Sequence, residues 1–335
     1  MKSIRRPRAV PTATLAGLAI LFLGLMCRAL DAPAAGPHSA RTQIKALKVS
    51  ILSTMLADAG FGEWGFAALV EADGHRVLVD TGSHPDTVLR NVQELRIDLS
   101  DVKEVVLTHH HWDHVRGLMT LRREVMKKSP SALSVVHVAK GIFYSRPVKD
   151  GDSNDMVAMK KEYEATGGRF VEHDEPSEIF PGAWLSGPVP RTYPERNWSG
   201  TGKVKTPDGI AEDTIPEDQT LVLDTTRGLV VITGCGHAGI VNILTQAHGA
   251  FPDSQVHAVF GGLHLFSATD AQLDWTAEKM KEFGVANLVG AHCTGIEAVY
   301  RLRERLNLSR KTAVVGAVGS TFSLSDGIVP GRIAQ

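Results

Sequence analysis

Cysteine is scarce. The 335 residues hold three, Cys27, Cys235 and Cys293. Cys27 falls in the N-terminal leader, so the chain offers no disulfide framework. Charge of either sign is not in excess: 36 basic and 37 acidic residues give a net charge of -1. There is no acidic tail and no basic stripe interleaved with aromatics, which argues against nucleic acid as a partner. Mean hydropathy is -0.04, so a polytopic membrane protein is excluded. No fixed-period repeat is visible, and no low-complexity tract beyond the leader. What is present is a chain 43% hydrophobic and 22% charged. That is enough apolar material for a sizeable core and too much for a wholly disordered chain. Its 32 glycines point to many tight turns.

The N-terminus reads as an export signal over residues 1–40. Arg5, Arg6 and Arg8 form a positive region, and Thr14 to Met26 is an apolar run followed by small residues. The run has the length of a signal-peptide core and is short for a membrane span of ~20 residues. The expected destination is the periplasm or cell envelope, with the leader engaging the export machinery. The general secretory route fits better than the twin-arginine route, because the residues flanking Arg5-Arg6 do not complete that motif. Met26 makes Cys27 a poor lipoprotein site. An uncleaved anchor is the alternative.

From about residue 46 strands alternate with helices. The pattern predicts strands ending at Asp80 and Leu107, a helix from His114 to Lys127, and strands ending near Thr233, Phe260 and Val289. Helices are expected over 240–250 and 268–283. Residues 41–335 read as one domain, with an insertion at about 150–218 that carries one helix and short strands. Long irregular stretches of this kind are usually lids or binding loops.

Histidine occurs 14 times, and half of these lie in four short clusters. The first is Thr108-His109-His110-His111-Trp112-Asp113-His114. Imidazole nitrogens and a carboxylate oxygen are ligands for zinc and related ions. His109 and His111 alternate and can face one ion; Asp113 and His114 can face a second. His110 falls between them and reads as structural. The other clusters are Gly234-Cys235-Gly236-His237, Gly261-Gly262-Leu263-His264 and Ala291-His292-Cys293-Thr294. Each follows a strand. His237 and His292 are candidate ligands, His264 is a candidate ligand or catalytic group, and Thr294 is a candidate N-cap for the next helix.

With these clusters and Asp80-Thr81-Gly82, the chain from 46 to 325 resembles the metallo-β-lactamase-fold hydrolases. Gly-Cys-x-His-Ala-Gly, Gly-Gly-x-His-Leu, His-Cys-Thr-Gly and the segment Leu185 to Thr192 are similar to the dihydropterin-synthase-like branch, named for a ribofuranosylaminobenzene 5'-phosphate step. The resemblance implies an α/β (α+β) four-layer αββα sandwich with metals at one edge. Two departures stand out. The strand 183–190 lacks the third histidine of many members, and Cys235 follows Thr233-Gly234 where many have a metal-bridging aspartate. Cys235, His237 and His264 are the available substitutes, and a mononuclear site stays open.

The implied activity is that of a metal-dependent hydrolase. Two zinc ions are expected, with iron or manganese as alternatives. A metal-bound hydroxide would attack a small phosphoester or cyclic ester. Asp113 would orient or deprotonate the nucleophile, His264 would serve the leaving group, and Arg191 would hold an anionic part of the substrate. An iron-dependent redox enzyme and a non-catalytic metal- or ligand-binding protein are the competing readings. Nothing in the sequence sets the oligomeric state.

Overall fold

The computed structural model describes residues 41–198 and 201–334. The leader expected over residues 1–40 lies outside the described residues. Residues 41–335 form one compact unit.

Two sheets dominate the described residues. The first contains Leu47–Ser53 (β1), Ala67–Ala72 (β2), His75–Val79 (β3), Glu104–Val106 (β4), Val135–Ala139 (β5) and Arg169–His173 (β6). The second contains Ser177–Phe180 (β7), Ala183–Leu185 (β8), Leu221–Thr225 (β9), Gly228–Thr233 (β10), Val256–Gly261 (β11), Asn287–Gly290 (β12) and Ala313–Val315 (β13). Thr321–Ser323 (β14) and Gly327–Val329 (β15) return to the first sheet, whose order is β15-β14-β1-β2-β3-β4-β5-β6. The second sheet runs in chain order from β7 to β13. The helices are Thr87–Glu94 (α1), Leu118–Val125 (α2), Asp155–Glu164 (α3), Ile240–Ala250 (α4), Asp270–Glu282 (α5) and Ile296–Arg305 (α6).

The layers follow from side-chain alternation along buried strands, in which successive residues face opposite sides of the sheet. In the first sheet Val49, Ile51, Val70, Val77 and Val79 turn inward and meet Leu223, Val230, Ile232 and Phe260 of the second. Leu52, Leu69, Leu78 and Val105 turn outward and pack with Val88, Leu118 and Tyr163 from the helices on that side. On the other side Val231 and Val259 pack with Ile243, Ala277 and Leu302 of α4, α5 and α6. The result is the αββα sandwich. Each fully buried Leu or Val side chain in it stabilises the fold by ~1.5–3 kcal/mol relative to exposure.

Two expectations are corrected. The single helix over 114–127 is divided: Trp112–Val115 forms one short helix and α2 begins at Leu118. At the junction Gly117 passes close to the β3 exit, where a Cβ would lie 2.0 Å from the Thr81 carbonyl oxygen. The segment 150–218 is only partly an insertion. β6 pairs in parallel with β5 at the edge of the first sheet, and β7 and β8 open the second. Edge strands are half-buried and carry charge, and Arg169 and Glu172 of β6 are exposed, which hid the strand. The true excursion is 186–219, with a hairpin of Lys203–Thr206 and Gly209–Glu212.

Candidate metal centre

The clusters meet because of strand register. β10, β11 and β12 are parallel neighbours, with Thr233 opposite Gly261 and Gly261 opposite Gly290. Their outgoing turns therefore emerge side by side and carry Cys235 and His237, then His264, then His292. In the first sheet Val79, Val106 and His137 stand in register on parallel β3, β4 and β5. Asp80 leaves β3 beside the chain that leaves β4 for His109. Sites in α/β sheets characteristically lie outside the carboxyl ends of strands.

The ring nitrogens form two groups. His111 Nδ1 is 3.2 Å from His237 Nε2, and the His109 ring lies 4.6 Å from that of His111 and 4.8 Å from that of His237. In the second group His114 Nε2 and His292 Nε2 are 3.3 Å apart, and Asp113 Oδ2 is 3.3 Å from His292 Nε2. Cys235 touches both. It forms a potential metal-holding set with His109 and His237 and another with His114 and His292, the ligand atoms of each set lying within 4.8 Å of one another. His109 Nε2 is buried without a hydrogen-bond partner, an arrangement a metal would satisfy. The donors are imidazole, carboxylate and thiol, which suits zinc-class ions.

Comparison with known proteins agrees with this geometry. Residues 65–150 match the family described as the Metallo-beta-lactamase superfamily. The crystal structure of Tm1679, described as a metal-dependent hydrolase of the beta-lactamase superfamily, superposes with a TM-score of 0.66 at 28% identity, covering 82% of this chain and 98% of that one. The chain has the metallo-β-lactamase fold. It is the fold of a superfamily of metal-dependent hydrolases. The protein is also 27% identical over 246 residues to 7,8-dihydropterin-6-methyl-4-(beta-D-ribofuranosyl)-aminobenzene-5'-phosphate synthase of Methanocaldococcus jannaschii, covering 71% of this chain and 83% of the relative. YhfI of Bacillus subtilis shares the fold at 12% identity, with a TM-score of 0.51 over 83% of this chain and all of that one.

Within this candidate centre the electrostatics of His109, His111, His237 and Asp113 favour ligation. Burial, reinforced by the neighbouring imidazoles, pushes His109 and His111 well below the usual histidine range. Burial and His264 push His237 down to about 3. All three are therefore neutral at physiological pH, the form that binds metal. Burial alone would raise Asp113, but His114 and His292 outweigh it and hold the carboxyl below its usual range.

A supporting layer fixes the rings, as outer carboxylates and carbonyls do at metal sites. Asp80 Oδ2 lies 2.7 Å from His114 Nδ1 and accepts from Thr108 Oγ1, while Asp80 Oδ1 accepts from Thr108 N–H. A Cβ on Gly234 would come within 2.0 Å of Thr108 Oγ1 and 2.5 Å of Asp80 Oδ2, so glycine is the residue this close approach tolerates. His237 Nδ1 donates to the Asn197 carbonyl. His110 is structural, as its spacing suggested: it pairs with Glu217 at 2.6 Å, and Arg146 ties Glu217 to Asp213. Burial raises Glu217, yet His110 and Arg146 prevail and hold it at about 2.

His264 and His292 both have left-handed backbone, with φ of 50° and 46°, and the His264 N–H donates to Cys293 Sγ. The His264 ring lies 4.4 Å from that of His237 and lines a cleft of about 590 Å³ together with His111, Trp112, Arg196 and Phe266. Arg191 is a correction. Its guanidinium donates to the carbonyls of Thr214 and Ile215, so it ties the excursion together, and the arginine lining the cleft is Arg196. Thr294 is another: Gly295 takes the N-cap position of α6, while the Thr294 hydroxyl donates to Gly261 O and accepts from Leu263 N–H. The sequence reading left Asp80, Glu217 and Asn197 without a role. A carboxylate ending a buried strand was the available signal for Asp80. Asn197 and Glu217 act at long range and gave none.

Proposed function

We propose that this protein is an exported metal-dependent hydrolase with a two-ion centre, zinc being the favoured ion, acting on a small phosphoester or cyclic ester. One observation carries the reading: two sets of buried ligand atoms meet around Cys235 beneath an open cleft. His109, His111 and His237 would hold one ion. Asp113, His114 and His292 would hold the other. When bound, such ions lower the pKa of water from near 16 to about 7 and polarise the oxygen of the electrophile.

The side chains supply the rest. Asp113, kept ionised, accepts a proton from the attacking water. His264 lines the cleft, with Nδ1 buried and without a hydrogen-bond partner among the described residues, and the ring can deliver a proton to the leaving group. Trp112 and Phe266, 43% and 53% exposed, shield the cleft and offer rings for a planar substrate. The name of the Methanocaldococcus jannaschii relative carries a 5'-phosphate, which supports a phosphoester. Export rests on the leader and sits poorly with an intracellular biosynthetic step, so the substrate of this chain is expected to be a different one.

The test is elemental analysis of the purified chain, with hydrolysis of phosphomonoester, phosphodiester and lactone substrates in the presence and absence of chelator. Two zinc ions per chain and chelator-sensitive turnover are expected. Turnover indifferent to chelator would sink the reading. Iron-dependent redox chemistry is the second reading, favoured by the thiol at the centre, and iron in the same assay would support it. A non-catalytic metal- or ligand-binding role is the third reading, and the grouping of His237 with His109 and His111 counts against it.

A further inference from the structure

We propose that the substrate carries an uncharged apolar limb about one ring in size, and that a second compartment beside the metal cleft holds this limb. This rests on the metal-dependent reading above and narrows its substrate class.

Continuity is the first argument. Beside the cleft lies a second space of about 330 Å³, between residues 194–197 of the excursion and α5. Arg196, Asn197, Ala268 and Gln272 line both spaces, so a molecule seated over the metal centre extends from one into the other. A dry apolar cavity of ~150 Å³ already admits benzene. The compartment therefore has room for a ring and its linker.

The second argument is the chemistry of the wall. Pro194, Leu265, Ala268, Ala271 and Trp275 supply carbon surface. Four polar side chains of the wall are already engaged. The Glu195 oxygens accept from the backbone N–H groups of Val241 and Asn242 in α4. Asn197 Nδ2 donates to the Leu263 carbonyl. Gln272 Oε1 accepts from the Thr269 N–H and hydroxyl, and Arg196 is paired with Glu212. A charged limb would lose water there without gaining those partners, whereas an apolar limb gains the burial. The third argument is that both walls are already fixed. Asn242 Oδ1 accepts from the N–H groups of Thr192 and Tyr193 and, with Glu195, fastens the excursion to α4. The opposite wall is set by the capping box at the start of α5. Little ordering is left to oppose binding.

The experiment is a calorimetric titration of the full chain, loaded with zinc. The probes are phosphonates, which resemble a phosphoester but lack the bond to be cleaved: methyl-, benzyl-, phenethyl- and phenylpropylphosphonate. Chelator-sensitive binding is expected, with affinity stepping up by ~10-fold or more once the spacer carries the ring into the compartment. Ala271 is exposed on α5 and lines only the second space. Ala271→Trp should fill that space, abolish the step and leave methylphosphonate affinity unchanged. Ala271→Leu, a smaller change that serves if the first variant does not fold, should reduce the step. A series without a step overturns the proposal, and so does a step that survives both substitutions. A ring bearing a carboxylate that binds as tightly as the plain ring overturns the apolar assignment. Each of these leaves the metal-dependent reading standing. Binding of the whole series that is indifferent to chelator overturns that reading itself.

Discussion

The two sheets contribute to the metal centre in opposite ways. The first delivers His109, His111, Asp113 and His114 from one continuous loop after β4, supported from β3 by Asp80. The second delivers Cys235, His237, His264 and His292 from three separate turns, aligned only because Thr233, Gly261 and Gly290 stand in register. In the first region spacing along the chain sets spacing in space. In the second the distance between ligands is a property of the parallel sheet. A motif of the first kind can be read by eye, and one of the second kind exists only once the strands have paired.

The sharpest way to break that contrast is to remove one imidazole from each region. His109→Ala and His237→Ala empty the same half-site from opposite sheets. Each is expected to lower kcat/KM by more than the ~100-fold typical of an outer supporting residue, and to cut the metal content from two ions to one. Unchanged turnover in His237→Ala would mean that the second sheet does not complete this half-site. Asp80→Ala leaves every ligand in place and frees the His114 ring. A loss of ~10–100-fold in metal affinity is expected, measurable by competition with a chromogenic chelator.

Glu217→Gln tests how the first loop is anchored to the excursion at 186–219. It leaves Arg146 and His110 short of a buried partner and should cost ~1–3 kcal/mol in urea unfolding. The pH dependence has a definite sign. Glu217 is held at about 2 in the folded chain against an ordinary 4.5. Its contribution is therefore fully present above pH 4.5 and lost as pH falls toward 2. The variant should show a shallower acid destabilisation across that window. The smallest effect belongs to the second sheet's outer layer. Thr269 and Gln272 form a capping box on α5, and Thr269→Ala should lower stability by ~1 kcal/mol with the metal content unchanged.

The fold was largely legible. Runs such as Gly228–Thr233 are apolar on both faces, which is what a strand between another sheet and a helix layer requires. The boundaries of α4 coincide with its apolar run. β6 was not legible as a sheet strand, because an edge strand is half-exposed and its pattern fades into that of a loop. Arg191 read as a ligand for an anion. Whether a guanidinium faces a cleft or a pair of backbone carbonyls depends on how the excursion folds back, which no local pattern encodes.

The sequence by itself determined the chemistry of the first cluster and the alternation of strands and helices, because both are carried by residues within one or two turns of each other. It also supplied four glycine-flanked donors further along the chain. Only the tertiary structure decided that His237 joins His109 and His111, that Cys235 stands between that group and His114 with His292, and that Asp80 pairs with His114. Those relations join residues far apart in the chain, and the pairing of parallel strands, not their sequence spacing, brings them within a few ångströms.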